Sequence, residues 1–375
     1  MRGFGWLAPT IAVLVAAVAP RQAAADTMDP ALSRLVTDSS CRTAGPKGGQ
    51  YYNPLSGFTK CQTDDVAFAK LIAQYGFAIA PTAMHSARTT GFGGFELAIE
   101  ADYTKIDSDA EYWQLGTQGP QDNTNDEFSI LNGNPDDLLQ VYNLKIRKGF
   151  PLGLELTGNV GYLANTNLVS GGADIRISVL EGFRTGVPGI FPEIAAGGGV
   201  RTITGTEEFQ LTVASFDGQI SKPLPIAGTV VLTPYVGYQW IRIFGDSGLI
   251  DLTPNTDAVN YCGYAGPNNP ASPDPTKTDF DGQPTCPSGS SADFNNTAVF
   301  DAVRLTRHRL NFGVQLRFQM VKLGVQFLTD LVDPADANKG SDYESPDPEN
   351  PTQMINDFEG VKKQWTLSID LGAVF

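Results

Sequence analysis

The chain ends in a regular alternation of apolar and polar side chains with a period of two. From Trp365 to Phe375 every second residue is apolar, and Thr366, Ser368 and Asp370 stand between them. Side chains with this period point to opposite faces of an extended strand. The same alternation recurs over residues 95–104, 142–147, 154–162, 173–179, 194–200, 209–213, 232–240, 309–320 and 323–327. The pattern predicts an all-β protein. Near 214–215 the phase changes, which a β-bulge would explain.

The connections distinguish two environments that both produce one apolar and one polar face. A soluble sandwich buries the apolar face, whereas a membrane-spanning barrel turns it to lipid and encloses the polar face. Short connections at 149–153, 185–191, 222–228 and 321–322 alternate with long ones at 107–137, 246–301 and 330–359. Tight turns at one end and long loops at the other are typical of outer-membrane barrels. We therefore expect an antiparallel transmembrane β-barrel of about ten strands, or of twelve if the loops contain more. The N-terminus would lie in the periplasm, and residues 77–88 would lie outside the wall.

The first 25 residues have the features of a secretory signal peptide. Arg2 precedes an apolar stretch at 6–19, and Ala23 and Ala25 form an A-x-A cleavage site before Asp26. We expect cleavage near Ala25, an N-terminal segment over 26–90, and a barrel over 91–375. The formal net charge of −15 argues against a nucleic-acid partner, because phosphate neutralisation needs clustered basic residues.

With this N-terminus, the alternation and the terminal strand from Trp365 to Phe375, the chain resembles bacterial outer-membrane β-barrel proteins in general. The resemblance covers about residues 91–375. It implies the outer membrane of a Gram-negative cell as the location and membrane lipid as a partner. It also implies that the barrel assembly machinery recognises the aromatic terminal strand, with Phe375 as its signal.

A short helix is expected ahead of the barrel. Phe68, Leu71, Ile72 and Tyr75 follow helical spacing after a capping sequence at 63–65, and Gly76 would end the helix. The segment could be a periplasmic cap on the mouth of the barrel or a plug inside the lumen. Its apolar face requires packing, but the sequence does not say against what.

The four cysteines form two pairs that are local in sequence, Cys41 with Cys61 and Cys262 with Cys286. In an exported protein each pair favours a disulfide, although four cysteines allow three connectivities. A zinc site is disfavoured because there is no Cys-x-x-Cys and there are only two histidines. We expect neither a metal nor another cofactor.

The polar phase of the strands would place charges of both signs in the lumen. The candidate lumen-lining residues are Glu96, Glu100, Asp102, Lys145, Arg147, Glu155, Asp174, Arg176, Arg201, Arg309, Arg317 and Asp370. They could form ion pairs that fill a narrow barrel, or a charged path for a solute. Barrels of about eight strands are filled by side chains, and barrels of about sixteen leave a channel, so ten strands favour the filled lumen.

The three long loops are strongly acidic: they hold eight, eight and nine acidic residues, and their only basic residues are Lys277 and Lys339. Such loops would concentrate small cationic solutes or divalent cations. The sequence has no G-x-S-x-G, no H-E-x-x-H and no phosphate-binding glycine loop, so we expect no enzyme. The leading hypothesis is a narrow or gated passive channel that prefers cations. The alternative is a structural or surface-interaction barrel with a closed lumen.

Overall fold

The computed structural model describes residues 26–37, 62–122, 127–128, 131–179, 191–227, 230–252, 263–264, 284–285, 297–347, 350 and 352–375. The signal-peptide residues 1–25 and all four cysteines lie outside the described residues.

Ten long antiparallel strands form one closed sheet, which the short strand Leu224–Ala227 joins by pairing with residues 230–232. They are β1 Phe95–Lys105, β2 Leu138–Gly149, β3 Leu154–Leu163, β4 Val169–Ser178, β5 Glu193–Thr204, β6 Phe209–Ser221, β7 Val230–Ser247, β8 Val303–Phe318, β9 Val321–Asp330 and β10 Trp365–Val374. Each strand pairs with the next in sequence, and β10 pairs with β1 to close the wall. At this seam Phe95 and Phe375 exchange two backbone hydrogen bonds, of 3.1 and 2.8 Å. The predicted all-β barrel of ten strands is confirmed, and residues 77–88 stay outside its wall.

Two local predictions were wrong. The β-bulge near 214–215 is absent, because β6 pairs with β7 in one unbroken register from Phe209↔Ser247 to Ser221↔Tyr235. The turn placed at 321–322 lies instead at 319–320, where Gln319 has a positive φ of 53°. Lys322 therefore belongs to β9 and not to a turn.

The outer face of the barrel is apolar and the inner face is not. Ile99, Leu144, Val160 and Leu371 are exposed on the outside, with 48–64% of each residue accessible. Their polar neighbours along each strand are buried, which is the reverse of a soluble protein. Stacked aromatic pairs such as Phe327–Trp365, with ring centroids 5.8 Å apart, add to the outer surface. An outer surface of this kind is stable in hydrocarbon.

The two ends of the barrel differ in their connections. One end carries short turns at 150–153 and 319–320, and the other carries long connections at 106–137, 248–302 and 331–364. Long loops lie outside the cell in outer-membrane barrels. We call this end the external end and the opposite one the periplasmic end. The long connections contain α2 Glu111–Gly116 and α3 Pro334–Ala337.

The predicted N-terminal helix is α1 Asp65–Ile79. Asp64 caps it, because its side chain accepts a hydrogen bond of 2.9 Å from the backbone N of Ala67. The helix continues through Gly76, contrary to expectation. A Cβ at this position would lie 2.6 Å from Cγ2 of Ile243 on β7, so the glycine allows close packing and does not end the helix. None of the helices among the described residues has the length and apolarity needed to cross a bilayer.

Ahead of β1, residues 26–37 lie at the external end and residues 65–90 run through the lumen. The backbone N of Met28 donates to Asn165 O in the β3–β4 turn (3.0 Å), and the N of Ala31 donates to Gly116 O (2.9 Å). From there α1 descends between the strands, and residues 80–90 continue to the periplasmic end, where β1 begins. The expected periplasmic N-terminus was therefore wrong, because residues 26–37 lie at the external end, and the described residues from α1 onward pass through the barrel before the wall starts.

Candidate functional site

The external half of the lumen is apolar. The inward residues of the strands are Leu139, Val141, Leu163, Ile203, Phe209, Leu211, Val213, Ile241, Ile243, Val303 and Leu305, all buried in one cluster with α1. Phe68, Leu71, Ile72 and Tyr75 of α1 belong to this cluster, as predicted by their spacing. We call this half the apolar zone. The sequence analysis missed it, because the inward phase was assumed to be polar throughout.

The strand β6 shows the signal that could have revealed this zone. Its inward residues change from Phe209, Leu211 and Val213 to Ser215 and Gln219 without a change of register. The apparent phase change therefore reflects the change from apolar to polar inward side chains along β6.

A few polar groups fix α1 and the segment ahead of it within the apolar zone. The side-chain Oε1 of Gln74 accepts hydrogen bonds from Trp113 Nε1 (2.8 Å) and from the backbone N of Asp107 (2.9 Å). The carboxylate of Glu208 accepts a hydrogen bond of 2.7 Å from the backbone N of Leu32. Burial raises the pKa of Glu208 to about 7, so this contact is sensitive to pH.

Two arginines of β8 hold the C-terminal turns of α1. Arg307 donates to the carbonyl of Ala73, and Arg309 donates to that of Phe77, both at 3.1 Å. Both guanidinium groups also lie over the Phe77 ring, 4.8 and 5.0 Å from its centroid. Cations near the C-terminus of a helix stabilise it through its unpaired carbonyls and its dipole.

The periplasmic half of the lumen is filled by ion pairs, and we call it the charged zone. Lys145 Nζ lies 2.7 Å from Glu100, and Arg147 lies 3.0 Å from Glu96. Further pairs join Lys322 to Glu96 and to Asp370, both at 2.5 Å, Arg201 to Asp174 at 2.6 Å and Arg176 to Asp217 at 2.7 Å.

Ten of the twelve candidate lumen residues are buried inside the barrel. Asp174 is half-buried against Arg201, and Arg317 is exposed at the periplasmic rim, where it donates to Gln319 O (3.1 Å). The sequence analysis missed four charged partners, namely Asp217, Arg307, Lys322 and Asp330. Arg307 shared the phase of Arg309, but Lys322 and Asp330 had been assigned to a turn and a loop.

An extended strap, residues 80–90, crosses the charged zone between α1 and β1. Pro81 O accepts hydrogen bonds from Gln239 Nε2 (2.9 Å) and Arg309 (2.7 Å), and Lys145 donates to Thr82 Oγ1 (2.6 Å). These bonds anchor the upper part of the strap.

Side chains of the wall also hydrogen-bond to the part of the strap that lies nearer the periplasmic end. Gln219 Nε2 donates to His85 O (2.8 Å), and the backbone N of Ser86 donates to Gln315 (3.0 Å). The N of Thr90 donates to Glu155 (2.8 Å). Side chains of the wall thus satisfy backbone groups that extended chain would otherwise leave unpaired.

Two small cavities border the strap. One of about 20 Å³ lies against Thr82, His85 and Arg176, and one of about 40 Å³ lies against His85, Thr90 and Arg317. A single water molecule needs about 10–15 Å³. Each cavity can therefore hold a few waters but no larger solute.

Some buried amides near the strap lack protein partners. Asn311 and Gln326 are fully buried, and neither end of either side-chain amide has a hydrogen-bond partner among the described residues. An unsatisfied buried polar group costs about 1–3 kcal/mol, so these groups require ordered water. The charged zone thus contains buried amides that the described protein groups alone do not satisfy.

Within the described residues no group of three or more His, Cys, Asp and Glu side chains could hold a metal ion. His85 is buried in the strap, with Nε2 3.6 Å from Glu155 Oε1. His308 lies on the outer face, where Nδ1 hydrogen-bonds to the Tyr238 hydroxyl at 2.5 Å.

A closed antiparallel barrel with a lipid-compatible outer face and a polar, ion-paired interior defines this protein as a bacterial outer-membrane β-barrel, and the Gram-negative outer membrane as its location. No family model matches the chain, and no curated protein matches it.

The chain shows similarity to several solved outer-membrane proteins. One is Ail, the attachment invasion locus protein of Yersinia pestis, at 10% identity over 76% of this chain and 99% of that one, with a TM-score of 0.23. A second is Omp33 of Acinetobacter baumannii, at 9% identity over 76% and 97%, with a TM-score of 0.23. A third is LpxR from Salmonella typhimurium, at 9% identity over 74% and 99%, with a TM-score of 0.27. Similarity at this level carries no argument about function.

Proposed function

We propose that this protein is a plugged outer-membrane barrel that works at its external surface, with a lumen closed by its own N-terminal segment. The observation that carries the proposal is the filled interior: α1 occupies the apolar zone, and the strap occupies the charged zone between cavities of only about 20 and 40 Å³. In this proposal the protein has no catalytic role, and its long loops form the surface that meets the outside.

The apolar zone argues for a permanent plug. Phe68, Leu71, Ile72 and Tyr75 are each fully buried. Burying one such side chain contributes roughly 1.5–3 kcal/mol, so these four together oppose ejection of α1 by roughly 6–12 kcal/mol. A resting population with α1 outside the lumen is therefore negligible.

A gated passage for small cations is the second candidate, and the charged lining of the periplasmic half of the lumen favours it. The strap is bound by polar side chains that water can replace, so moving the strap costs less than moving α1. The acidic long loops would concentrate cations at the external mouth. In this version α1 must also shift aside briefly in the apolar zone, because movement of the strap alone opens only the charged zone.

Planar-bilayer recording of the full mature protein tests both versions. The closed-lumen proposal expects no conductance from the wild type or from Arg309→Ala, which removes the hydrogen bonds to Phe77 O and Pro81 O. The gated version expects brief cation-selective openings that become more frequent in Arg309→Ala. Arg304→Ala is the matched control, because this exposed arginine pairs with Asp246 at the external end and does not touch the strap. A steady, wide and unselective conductance of the wild type would contradict both.

The biogenesis inferred from the sequence is part of the proposal. Cleavage near Ala25 would leave Asp26 as the first residue, and the local cysteine pairs would oxidise after export. The assembly machinery would recognise the terminal strand through Phe375, whose side chain remains 63% exposed beside the seam. Lipid surrounds the wall in this proposal, and divalent cations are counterions for the acidic loops.

A further inference from the structure

The periplasmic end of the barrel is basic at its surface. Among the described residues at this end, Arg88, Lys148 and Arg317 are exposed, whereas the acidic residues Glu96, Glu155 and Glu193 are buried. The acidic long loops lie at the opposite end. A surface with exposed bases and buried acids attracts anions, so the periplasmic end is suited to a negatively charged ligand.

The cavity of about 40 Å³ beside the strap opens at this end, where the strap, β2, β3 and β8 meet. Its charged lining consists of three arginines and two glutamates: Arg88, Arg147, Arg317, Glu96 and Glu155. Glu96 is already paired with both Arg147 and Lys322. The described lining therefore has more positive than negative charge.

Two guanidinium groups at the mouth of this cavity have donors to spare. Arg88 is exposed and makes neither a hydrogen bond nor an ion pair with the described residues. Arg317 donates only through Nε, to Gln319 O at 3.1 Å, so both of its terminal nitrogens are unengaged within the described part of the chain. Each side chain therefore presents a planar set of N–H donors, the geometry that matches the oxygens of a carboxylate or a phosphate.

A buried donor of the same cavity also lacks an acceptor. Arg147 is only 2% exposed, and its terminal nitrogens donate to Glu96 (3.0 Å) and to Met84 O (3.4 Å), but its Nε–H has no partner among the described residues. The buried hydroxyl of Thr90, which also borders the cavity, has no partner either. Buried polar groups are normally hydrogen-bonded, so these two groups require an acceptor within the cavity.

We propose that this periplasmic mouth binds a phosphate group. The unengaged donors come from three segments, namely Arg88 and Thr90 on the strap, Arg147 on β2 and Arg317 on β8. A tetrahedral phosphate has enough oxygens to serve all three segments, whereas a carboxylate has only two, and arginine binds phosphate through paired hydrogen bonds.

The size of the cavity fixes how the group would sit. A volume of about 40 Å³ admits one oxygen but not a whole phosphate. One oxygen would enter and accept from Arg147 Nε, and the others would stay at the mouth between Arg88 and Arg317. Binding would link the strap to β8. The site faces the periplasm whether or not the lumen opens, so it is independent of the proposed function. The phosphate can belong to a free ion or to a lipid headgroup of the periplasmic leaflet.

Isothermal titration calorimetry of the mature protein, folded in a non-ionic detergent, tests the proposal with inorganic phosphate as the probe at constant ionic strength. We expect saturable binding of one phosphate. Arg88→Gln and Arg317→Gln should each weaken it by about tenfold or more, because each removes a charge-assisted pair of hydrogen bonds. Both residues are exposed, so both variants should fold, as judged by heat-dependent gel mobility. Lys148→Gln is the matched control and should leave the affinity unchanged, since this exposed lysine of the same end donates to Gly93 O (2.9 Å) outside the cavity.

A second arm distinguishes the two sources of phosphate. Dihexanoyl phosphatidylglycerol is titrated against the phosphate-loaded protein, with dihexanoylglycerol, which lacks the phosphate, as the ligand control. Displacement of phosphate by the phospholipid alone would support the proposal with a headgroup as the ligand, and phosphate binding without displacement would support it with the free ion. The proposal is overturned if inorganic phosphate does not bind, if acetate competes equally at matched ionic strength, or if Lys148→Gln weakens binding as much as Arg88→Gln does. The last result would mean general attraction to a basic surface.

Discussion

Replacing Ile99 by arginine tests whether the outer face of the barrel contacts lipid or water. Ile99 is the fifth of eleven residues in β1 and lies opposite Leu371 and Leu144 on the outer face. It is 64% exposed. If water surrounded the barrel, an arginine at such an exposed site would change stability by no more than about 0.5 kcal/mol.

In a bilayer the same substitution has a large cost. Arginine on the lipid face near the midplane costs about 2–4 kcal/mol, falling to about 0–1 near the interfaces. At about 1.4 kcal/mol per factor of ten, Ile99→Arg should lower the folding equilibrium constant roughly 30- to 1000-fold. Leu152→Arg is the matched control, because Leu152 is 75% exposed but lies in the periplasmic turn after β2.

The assay is reversible denaturant unfolding in lipid vesicles, followed by tryptophan fluorescence. The free energy of unfolding should fall by at least 1 kcal/mol more for Ile99→Arg than for Leu152→Arg. If the two variants lose equal stability, or if Ile99→Arg is the milder one, the outer face does not contact hydrocarbon and the orientation of every strand must be revised.

Three further predictions follow from the interior. Arg307→Ala leaves a buried carboxylate without its cation and should cost about 3–5 kcal/mol in the same unfolding assay, whereas Arg304→Ala at the exposed pair should cost less than about 1 kcal/mol; similar losses for both would contradict the buried pairing. An epitope placed just before Asp26 should be labelled by antibody on intact cells; labelling only after permeabilisation would show that the N-terminus lies in the periplasm. The folded pKa of Glu208 is raised from 4.5 to about 7, so its contribution to stability is fully present below about pH 4.5 and is lost as the pH rises through 7. Glu208→Gln should therefore flatten the decline in unfolding free energy between pH 5 and 8, and an unchanged pH profile would refute this assignment.

The wall could be predicted from sequence because lipid imposes a local rule on each strand. Every outward residue near the membrane centre must be apolar whatever its neighbours are, so the period of two survives in β1, β2, β3 and β10. Strand ends are less constrained, since several residues around a turn satisfy either phase. For this reason the β8–β9 turn was misplaced by two residues and Lys322 was lost from the lumen.

Of the two halves of the lumen, only the charged zone could be predicted from the sequence. In the charged zone the inward side chains differ from lipid-facing ones, so residues such as Glu96, Arg147 and Asp370 could be assigned to the lumen. In the apolar zone both faces are apolar, and Leu211 cannot be told from a lipid-facing leucine by type alone. The surface against which α1 packs forms only when the barrel closes. The spacing of the apolar residues in α1 therefore predicts that one face is apolar, but it does not predict what that face contacts.

The path of α1 and the strap constrains the order in which the molecule is built. A fifteen-residue helix with chain attached at both ends cannot slip past Arg309 and Gln239 into a finished cylinder. The polypeptide that becomes the core must therefore already be in position when the first and last strands join. Completion of the β1–β10 seam is then the step that encloses the core, and we expect a variant that delays docking of α1 to close empty or fail to close at all.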